Sequence, residues 1–194
     1  MSNTFFDPLE LARHWIRHWV PPGGTAVDGT AGRGRDTLFL AETVGSDGKV
    51  WAFDVQAEAI EDTAKLLAEH NLSGRAALIQ AGHEEIGQYV SDPVHGVMLN
   101  LGYLPGGDKN RITLPATTVR ALKSGVELLA PGGLITIVVY TGHPGGPDEA
   151  GAVEEFVRDL PQQGFVTVRF TYPNRGKTTP YLIVIQKRSM EDSQ

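Results

Sequence analysis

Residues Thr25 to Thr37, Thr-Ala-Val-Asp-Gly-Thr-Ala-Gly-Arg-Gly-Arg-Asp-Thr, constrain the fold more tightly than any other stretch of this chain. A short apolar run, Thr25 to Val27, ends at the carboxylate of Asp28; a loop with Gly29, Gly32 and Gly34 follows, and an apolar helical pattern begins at Leu38. Glycine reaches positive φ and lets a ligand approach the backbone with no Cβ in the way. A helix start then offers N–H groups that have no intrahelical partner. The next strand, Val50-Trp-Ala-Phe-Asp54, ends on a second acid about 20 residues beyond the last loop glycine, where a carboxylate can take both hydroxyls of a ribose. This unit predicts a parallel α/β sheet with a nucleoside site at the strand ends.

Two cofactor classes suit such a unit. A dinucleotide site uses Gly-x-Gly-x-x-Gly, so that backbone N–H groups and the helix dipole hold a pyrophosphate. Here the order is Gly29-x-x-Gly32-x-Gly34, and Asp28 before it would repel a pyrophosphate while suiting a positively charged amino-acid moiety. S-adenosylmethionine has such a moiety, an adenosine and no phosphate, so the residues favour it. A purely structural glycine turn explains the loop but leaves Asp54 without a reason.

The rest of the chain extends the alternation. Phe5 to Trp19 reads as a helix, with Asp7 as cap, Pro8 at its first position, and Leu9, Ala12, Ile16 and Trp19 on one stripe; His14, Arg17 and His18 form its wet face. Thr37 to Val44 is the next helix, and Ala57, Ile60, Ala64, Leu67 and Ala68 mark another. Ala76 to Gln80 and Gly96 to Asn100 are strands, with a short helix to Val90 between them. Leu101 to Thr113 is an aperiodic loop. A helix through Val119, Leu122, Val126 and Leu129, closed by Pro131-Gly132-Gly133, leads to the continuous apolar run Leu134 to Tyr140, as a covered central strand requires. After a last helical stripe (Val153, Phe156, Val157, Leu160), Phe165 to Tyr172 and Tyr181 to Lys187 are two strands with no helix between them. The expected architecture is α/β and Rossmann-like: seven strands in the order 3-2-1-4-5-7-6, the last antiparallel, with helices on both faces, as in class I methyltransferases. A plain dinucleotide fold would more often continue with another crossover helix.

The 194 residues suit one domain spanning 1–194, with an N-terminal helix inside residues 1–20 and a polar, disordered tail at 189–194. There is no cysteine, hence no disulfide framework or thiolate site. No apolar run reaches the roughly 18 residues that cross a bilayer, and the start lacks a basic segment before an apolar one, so the expectation is a cytoplasmic protein away from membranes. A net charge of −6 argues against a protein that coats nucleic acid, although a local basic rim is compatible with it. The histidines show no metal-ligand spacing beyond His14 and His18 on one exposed helix face, and no metal is expected.

In an open α/β sheet, ligands bind outside the carboxyl ends of the strands where strand order reverses, here between the first and fourth strands. The residues delivered there are Asp28 to Asp36, Asp54 to Gln56, His83, Asn100 to Asp108, and Tyr140 to Gly145. Among them Asn100-Leu-Gly-Tyr-Leu-Pro-Gly-Gly-Asp-Lys109 is the most specific. An amide at a strand end, followed by a turn and an aromatic, resembles the Asn-Pro-Pro-Tyr arrangement of methyltransferases that act on planar amines. The Asn carbonyl can accept from an attacking –NH₂ and aim its lone pair. The alternative is an Asn that merely closes the strand.

Taken together, Val27-Asp-Gly-Thr-Ala-Gly-Arg-Gly-Arg-Asp-Thr37, Ala52-Phe-Asp-Val-Gln56, the Asn100–Lys109 motif and Val138-Val-Tyr-Thr-Gly-His-Pro-Gly145 resemble the small bacterial methyltransferases long labelled putative rRNA methylases. The resemblance runs from about Val20 to the final strand. It departs at Arg33 and Arg35, near which the family often has Asn or His. The family's characterised members methylate the aminomethyl group of 5-aminomethyl-2-thiouridine at the tRNA wobble position with S-adenosylmethionine, and the family is described as homodimeric. The resemblance therefore implies a tRNA anticodon substrate, that cofactor and a homodimer.

Cofactor binding is expected from Asp28, Thr30, Gly32, Gly34, Asp36 and Thr37 at the methionine end, Asp54 at the ribose, and Gln56 and His83 near the adenine, with Asn100 at the methyl. Asn100 and Tyr103 are expected to orient the amine as the catalytic pair. Substrate contacts are expected from Leu101, Gly102, Pro105, Gly106, Gly107, Asp108, Lys109, Tyr140 and His143, the proton leaving to His143, Asp108 or water. Arg33, Arg35, Lys109, Arg111, Arg175 and Lys177 form a candidate RNA rim, and Tyr103, Tyr140 and Tyr172 can stack on an unpaired base. The competing readings are methylation of rRNA or a small amine, a nicotinamide-dependent oxidoreductase, and a non-catalytic cofactor-binding protein.

Overall fold

A computed structural model of the chain describes residues 7–102 and 112–189. Its strands are β1 (Thr25–Asp28), β2 (Lys49–Phe53), β3 (Ala76–Ile79), β4 (Val94–Asn100), β5 (Leu129–Val139), β6 (Phe165–Phe170) and β7 (Tyr181–Lys187). The helices are α1 (Pro8–Trp19), α2 (Arg35–Val44), α3 (Ala57–Glu69), α4 (Ile86–Tyr89), α5 (Pro115–Leu128) and α6 (Gly146–Arg158). One sheet orders the strands β3-β2-β1-β4-β5-β7-β6. The first five are parallel, and β7 runs antiparallel to both β5 and β6. This is the topology of class I methyltransferases, as the alternation of elements predicted.

Alternation along each strand divides the core in two. Val97, Leu99, Ile135 and Ile137 point to one side, where Leu122 of α5 and Val153 of α6 cover them. Met98, Leu134 and Val138 point to the other, against Ile16 of α1 and Leu40 and Val44 of α2. Both faces of β4 and β5 are thus apolar, which is why Leu134 onward reads as an unbroken hydrophobic run.

Helix α1 begins where Asp7 accepts from Leu9 N at 2.9 Å, with Pro8 supplying a fixed φ at the first position. It lies close on β4 because position 96 is glycine: a Cβ there would come within 2.5 Å of Val20 and 3.0 Å of Ile16. Full burial of a side chain such as Ile16 stabilises by about 1.5–3 kcal/mol. Trp19 departs from the expected stripe: it is exposed, while Trp15 packs on Phe170 with ring centroids 5.9 Å apart. Phe5, assigned to this helix from the sequence, lies outside the described residues. Strand β5 starts earlier than the sequence suggested, at Leu129, since Leu129 already pairs with Val94 before the register shifts at Gly96. Edge strand β6 exposes Val166 and Val168.

The carboxyl ends of β1, β2, β3, β4 and β5 all emerge on the same edge of the sheet, because the five are parallel. Asp28, Asp54, Asn100 and Tyr140 belong to or directly follow those ends.

Candidate functional site

The glycine loop is built around Asp28. This side chain is fully buried; Oδ1 accepts from Thr30 N at 3.0 Å and Oδ2 from Thr37 Oγ1 at 2.6 Å, so it ties the end of β1 to the first turn of α2. Gly34 caps α2 with φ 78°, and a Cβ at that position would sit 2.8 Å from Thr63 Cα. Both constraints demand glycine there. Ala31 N donates to Phe53 O at 2.9 Å, which draws the loop onto the end of β2. Asp54 completes the join: Oδ2 accepts from Gly32 N and Oδ1 from Gln56 N, each at 2.9 Å. Each oxygen keeps a further lone pair for a ligand hydroxyl.

A cleft of about 700 Å³ opens at this edge, within the usual range for small-molecule sites. Thr30, Gly32, Asp36, Asp54, Gln56, His83, Asn100, Gly102 and Tyr140 all line it, as the strand-end argument expected. Asp28, Thr37 and Gly34 are not on its wall; they stand behind the loop and hold its shape. Leu101 is buried in the core, its N–H donating to Val138 O at 3.0 Å. His143 is beside Gly102, with Nδ1 3.0 Å from Pro144 O. Tyr103, Pro105, Gly106, Gly107, Asp108, Lys109 and Arg111 lie outside the described residues.

Asn100 stands apart from its neighbours. Its backbone N–H donates to Thr30 Oγ1 at 2.8 Å, fixing the end of β4 to the glycine loop. Among the described residues its side-chain Oδ1, which is buried, has no hydrogen-bond partner. A buried acceptor left unmade is costly, and such groups are rare in native proteins. Here it lies on the wall of a cleft, where a ligand N–H can satisfy it.

Acids crowd the glycine-loop end of the cleft. Burial, followed by the charge of Asp36 and then of Asp54, pushes the Asp28 carboxyl up to about 7, against the bonds from Thr37 and Thr30. Burial also raises Asp36, opposed by Arg13. Arg13 reaches in from α1: Nε and Nη2 donate to Asp36 Oδ1 at 2.9 and 2.6 Å, and Nη1 to Glu10 at 2.7 Å. Its side chain and that of Leu9 line the cleft, although nothing in the linear pattern places α1 at the site. The available signal was the acid at the start of α2, which suits a cation in addition to its neighbour Arg35. Burial lowers the pKa of His83, and Glu84, the Gly29 backbone and Asp54 oppose that shift less strongly.

The expected basic rim is partly engaged. Arg33 is half-exposed and pairs with Asp62 at 3.3 Å, Arg35 lines the cleft, and Arg175 lies over the Tyr172 ring at 5.3 Å. Among the described residues no cluster of three or more His, Asp or Glu could hold a metal ion, and no helix is long and apolar enough to cross a membrane.

Comparison with known proteins agrees with this geometry. The family model described as "Putative rRNA methylase" matches residues 50–186. The chain is 41% identical over 179 residues to the Arabidopsis thaliana tRNA (mnm(5)s(2)U34)-methyltransferase, chloroplastic; the match takes in 87% of this chain and 65% of the length of that relative. Among solved structures, a protein from Clostridium thermocellum described as "putative rRNA-methylase" superposes with a TM-score of 0.92 at 42% identity, covering 95% of this chain and 99% of that one. A methyltransferase so described from Streptococcus mutans, in complex with SAH, superposes with a TM-score of 0.86 at 37% identity over 95% and 99% of the two chains. Matched by the family model over more than half its length, and nearly end to end by these structures, the chain belongs to the family described as "Putative rRNA methylase".

Proposed function

We propose that the chain is an S-adenosylmethionine-dependent N-methyltransferase of tRNA, acting on the aminomethyl group of 5-aminomethyl-2-thiouridine at the wobble position. The observation that carries this reading is the buried Oδ1 of Asn100, partnerless among the described residues, on a residue that lines the same cleft as Asp54. Support comes from the Arabidopsis relative, whose name states that reaction, and from the Streptococcus structure, which contains SAH.

The residues present fit the cofactor. Asp54 takes the ribose hydroxyls with the lone pairs left after Gly32 N and Gln56 N have donated. Gln56 and His83 border the adenine. Asp36 and Arg13 meet the methionine end, where adjacent negative and positive charges match an ammonium and a carboxylate. Asp28, Thr37 and Gly34 act by holding the loop rather than by touching the ligand. When bound, S-adenosylmethionine supplies a methyl group already activated on a sulfonium.

Asn100 Oδ1 accepts an N–H of the incoming amine, so that the nitrogen lone pair points along the transfer line, with Tyr103 covering the base. Positioning of this kind carries most of the rate enhancement when no strong base is needed. The amine attacks once neutral, and its proton leaves to water or to His143 or Asp108. Gly102 and Tyr140 border the amine, while the segment Pro105, Gly106, Gly107, Asp108 and Lys109 meets the nucleotide. Arg33, Arg35, Arg111, Arg175 and Lys177 offer phosphate contacts, and the anticodon loop is single-stranded, as sequence-specific RNA recognition usually requires. We place the enzyme in the cytoplasm as a homodimer, the latter open to sedimentation equilibrium.

Labelled methyl transfer into tRNA from a strain lacking this protein tests the reading, with ribosomal RNA and free nucleoside as comparators. The expected result is label in tRNA only, at a nucleoside heavier by one methyl group, with affinity falling steeply as salt rises. Label in ribosomal RNA, or a flat salt response, contradicts the tRNA assignment.

A further inference from the structure

Glu149 lies in the first turn of α6 and is buried, with 1% of its surface exposed. Among the described residues no cation bridges to it; it accepts instead from two hydroxyls, Thr113 Oγ1 to Oε2 at 2.7 Å and Thr118 Oγ1 to Oε1 at 2.5 Å. A carboxylate taken out of water without a counter-ion is costly, and an apolar side chain of similar volume would join two helices more cheaply. The helix N-terminus offsets part of that cost but does not say why two directional bonds are made.

The second bond points to the reason. Thr118 is in α5, so its bond alone would tie α6 to α5. Thr113 is in neither helix. It stands where the chain returns from residues 103–111, and it closes on Gly102, where the chain leaves. Gly102 N donates to Thr113 Oγ1 at 2.8 Å, and Thr113 N donates back to Gly102 O at 2.8 Å. The Thr113 hydroxyl accepts from Gly102 N and donates its own proton to Glu149, which holds the hydroxyl in the rotamer that faces Gly102. The neck is two residues beyond Asn100, whose Oδ1 is the proposed amine acceptor. On the other side, Thr118 Oγ1 stands 3.5 Å from His83 Nε2.

We propose that Glu149 is a positioning residue for methyl transfer: through Thr113 it locks the neck of the substrate segment at Gly102 and so fixes where the Asn100 amide is aimed. The proposal rests on the tRNA methyltransferase reading above. It predicts how substitutions differ. Thr113→Val keeps the shape and loses the hydroxyl; Thr113→Ser keeps the hydroxyl. Glu149→Gln retains an oxygen for Thr113 when its –NH₂ faces Thr118, which can accept it and turn its own proton to His83. Glu149→Ala retains nothing.

The test uses the full chain and three readouts: amide exchange at Gly102 by NMR, calorimetry with S-adenosylhomocysteine, and single-turnover transfer to unmodified tRNA. Thr113→Val and Glu149→Ala are expected to speed exchange at Gly102 by about tenfold or more and to slow transfer by about 10- to 100-fold, with cofactor affinity within about threefold of wild type. Thr113→Ser and Glu149→Gln are expected to stay within about threefold in all three readouts. Should Glu149→Ala fail to fold, Thr113→Val carries the same test. Transfer at the wild-type rate despite faster exchange at Gly102 overturns the proposal, as does cofactor affinity falling in step with rate. A wild-type protein that methylates no tRNA overturns the functional reading instead, and this proposal with it.

Discussion

Arg13 and Asp54 divide the proposed cofactor between them, and the division can be measured. In the proposed assignment Asp54, with lone pairs to spare, takes the nucleoside, whereas Arg13, paired with Asp36, meets only the amino-acid end. Methylthioadenosine carries the nucleoside without the amino acid. Arg13→Ala is therefore expected to weaken S-adenosylhomocysteine by about 10- to 100-fold, the range of a charge-assisted hydrogen bond, and to leave methylthioadenosine unchanged. Asp54→Ala is expected to weaken both. Calorimetry with the two ligands checks it; equal losses for both ligands in Arg13→Ala contradict the assignment. A second residue-scale prediction concerns Asp28, whose carboxyl is pushed up to about 7 from 3.8 by burial and the charges of Asp36 and Asp54. The folded chain holds a proton there that the unfolded chain releases. That contribution is fully present below about pH 4 and is lost as pH rises through 7, with a ceiling of about 4 kcal/mol. An asparagine can accept from Thr30 N and donate to Thr37 Oγ1 with no charge to desolvate. Urea unfolding should thus show Asp28→Asn gaining at least about 1 kcal/mol on wild type between pH 5 and pH 8; a pH-independent difference contradicts it. Asp54 and Asn100 were legible from sequence because strand ends are readable and acids or amides there are conspicuous. Arg13 and Glu149 were not, since each meets its partner only after α1 and α6 have packed against distant elements.

At the scale of elements, the junction of β1, the glycine loop and α2 is held by backbone geometry as much as by side chains. Gly34 combines φ 78° with a Cβ position 2.8 Å from Thr63 Cα in α3, so a side chain there strains the turn and pushes α2 from α3. Gly34→Ala is expected to cost about 1–3 kcal/mol in urea unfolding and to weaken S-adenosylhomocysteine, because Gly32, tied to Asp54, moves with the turn. A variant as stable and as tight-binding as wild type contradicts this account of the loop. The same scale shows what a linear reading resolves. The C-terminal strand pair was legible because helical spacing stops after Leu160 and never resumes. The start of β5 was not: Pro131-Gly132-Gly133 reads as a turn that closes a helix, whereas the pairing of Leu129 with Val94 precedes it and depends on β4 being alongside.

Across the whole molecule, net charge −6 and the proposed RNA substrate are reconciled by location, since the acids at the glycine loop are buried or paired while Arg33 and Arg35 reach solvent at the cleft. The fold unites what the chain keeps far apart: the loop after β1 and the amide at the end of β4 are neighbours, joined by the bond from Asn100 N to Thr30 Oγ1 at 2.8 Å. The topology was legible because its alternation is regular; the tie between Thr30 and Asn100 was not, because it exists only once β1 and β4 pair. If one cleft holds the cofactor and aims the amine, the two tasks must separate on removing the Asn100 side chain. The measurement is single-turnover methyl transfer to unmodified tRNA by Asn100→Ala, beside its calorimetric affinity for S-adenosylhomocysteine. The account predicts a rate lower by about 100-fold or more with affinity within about threefold of wild type; undiminished transfer contradicts it.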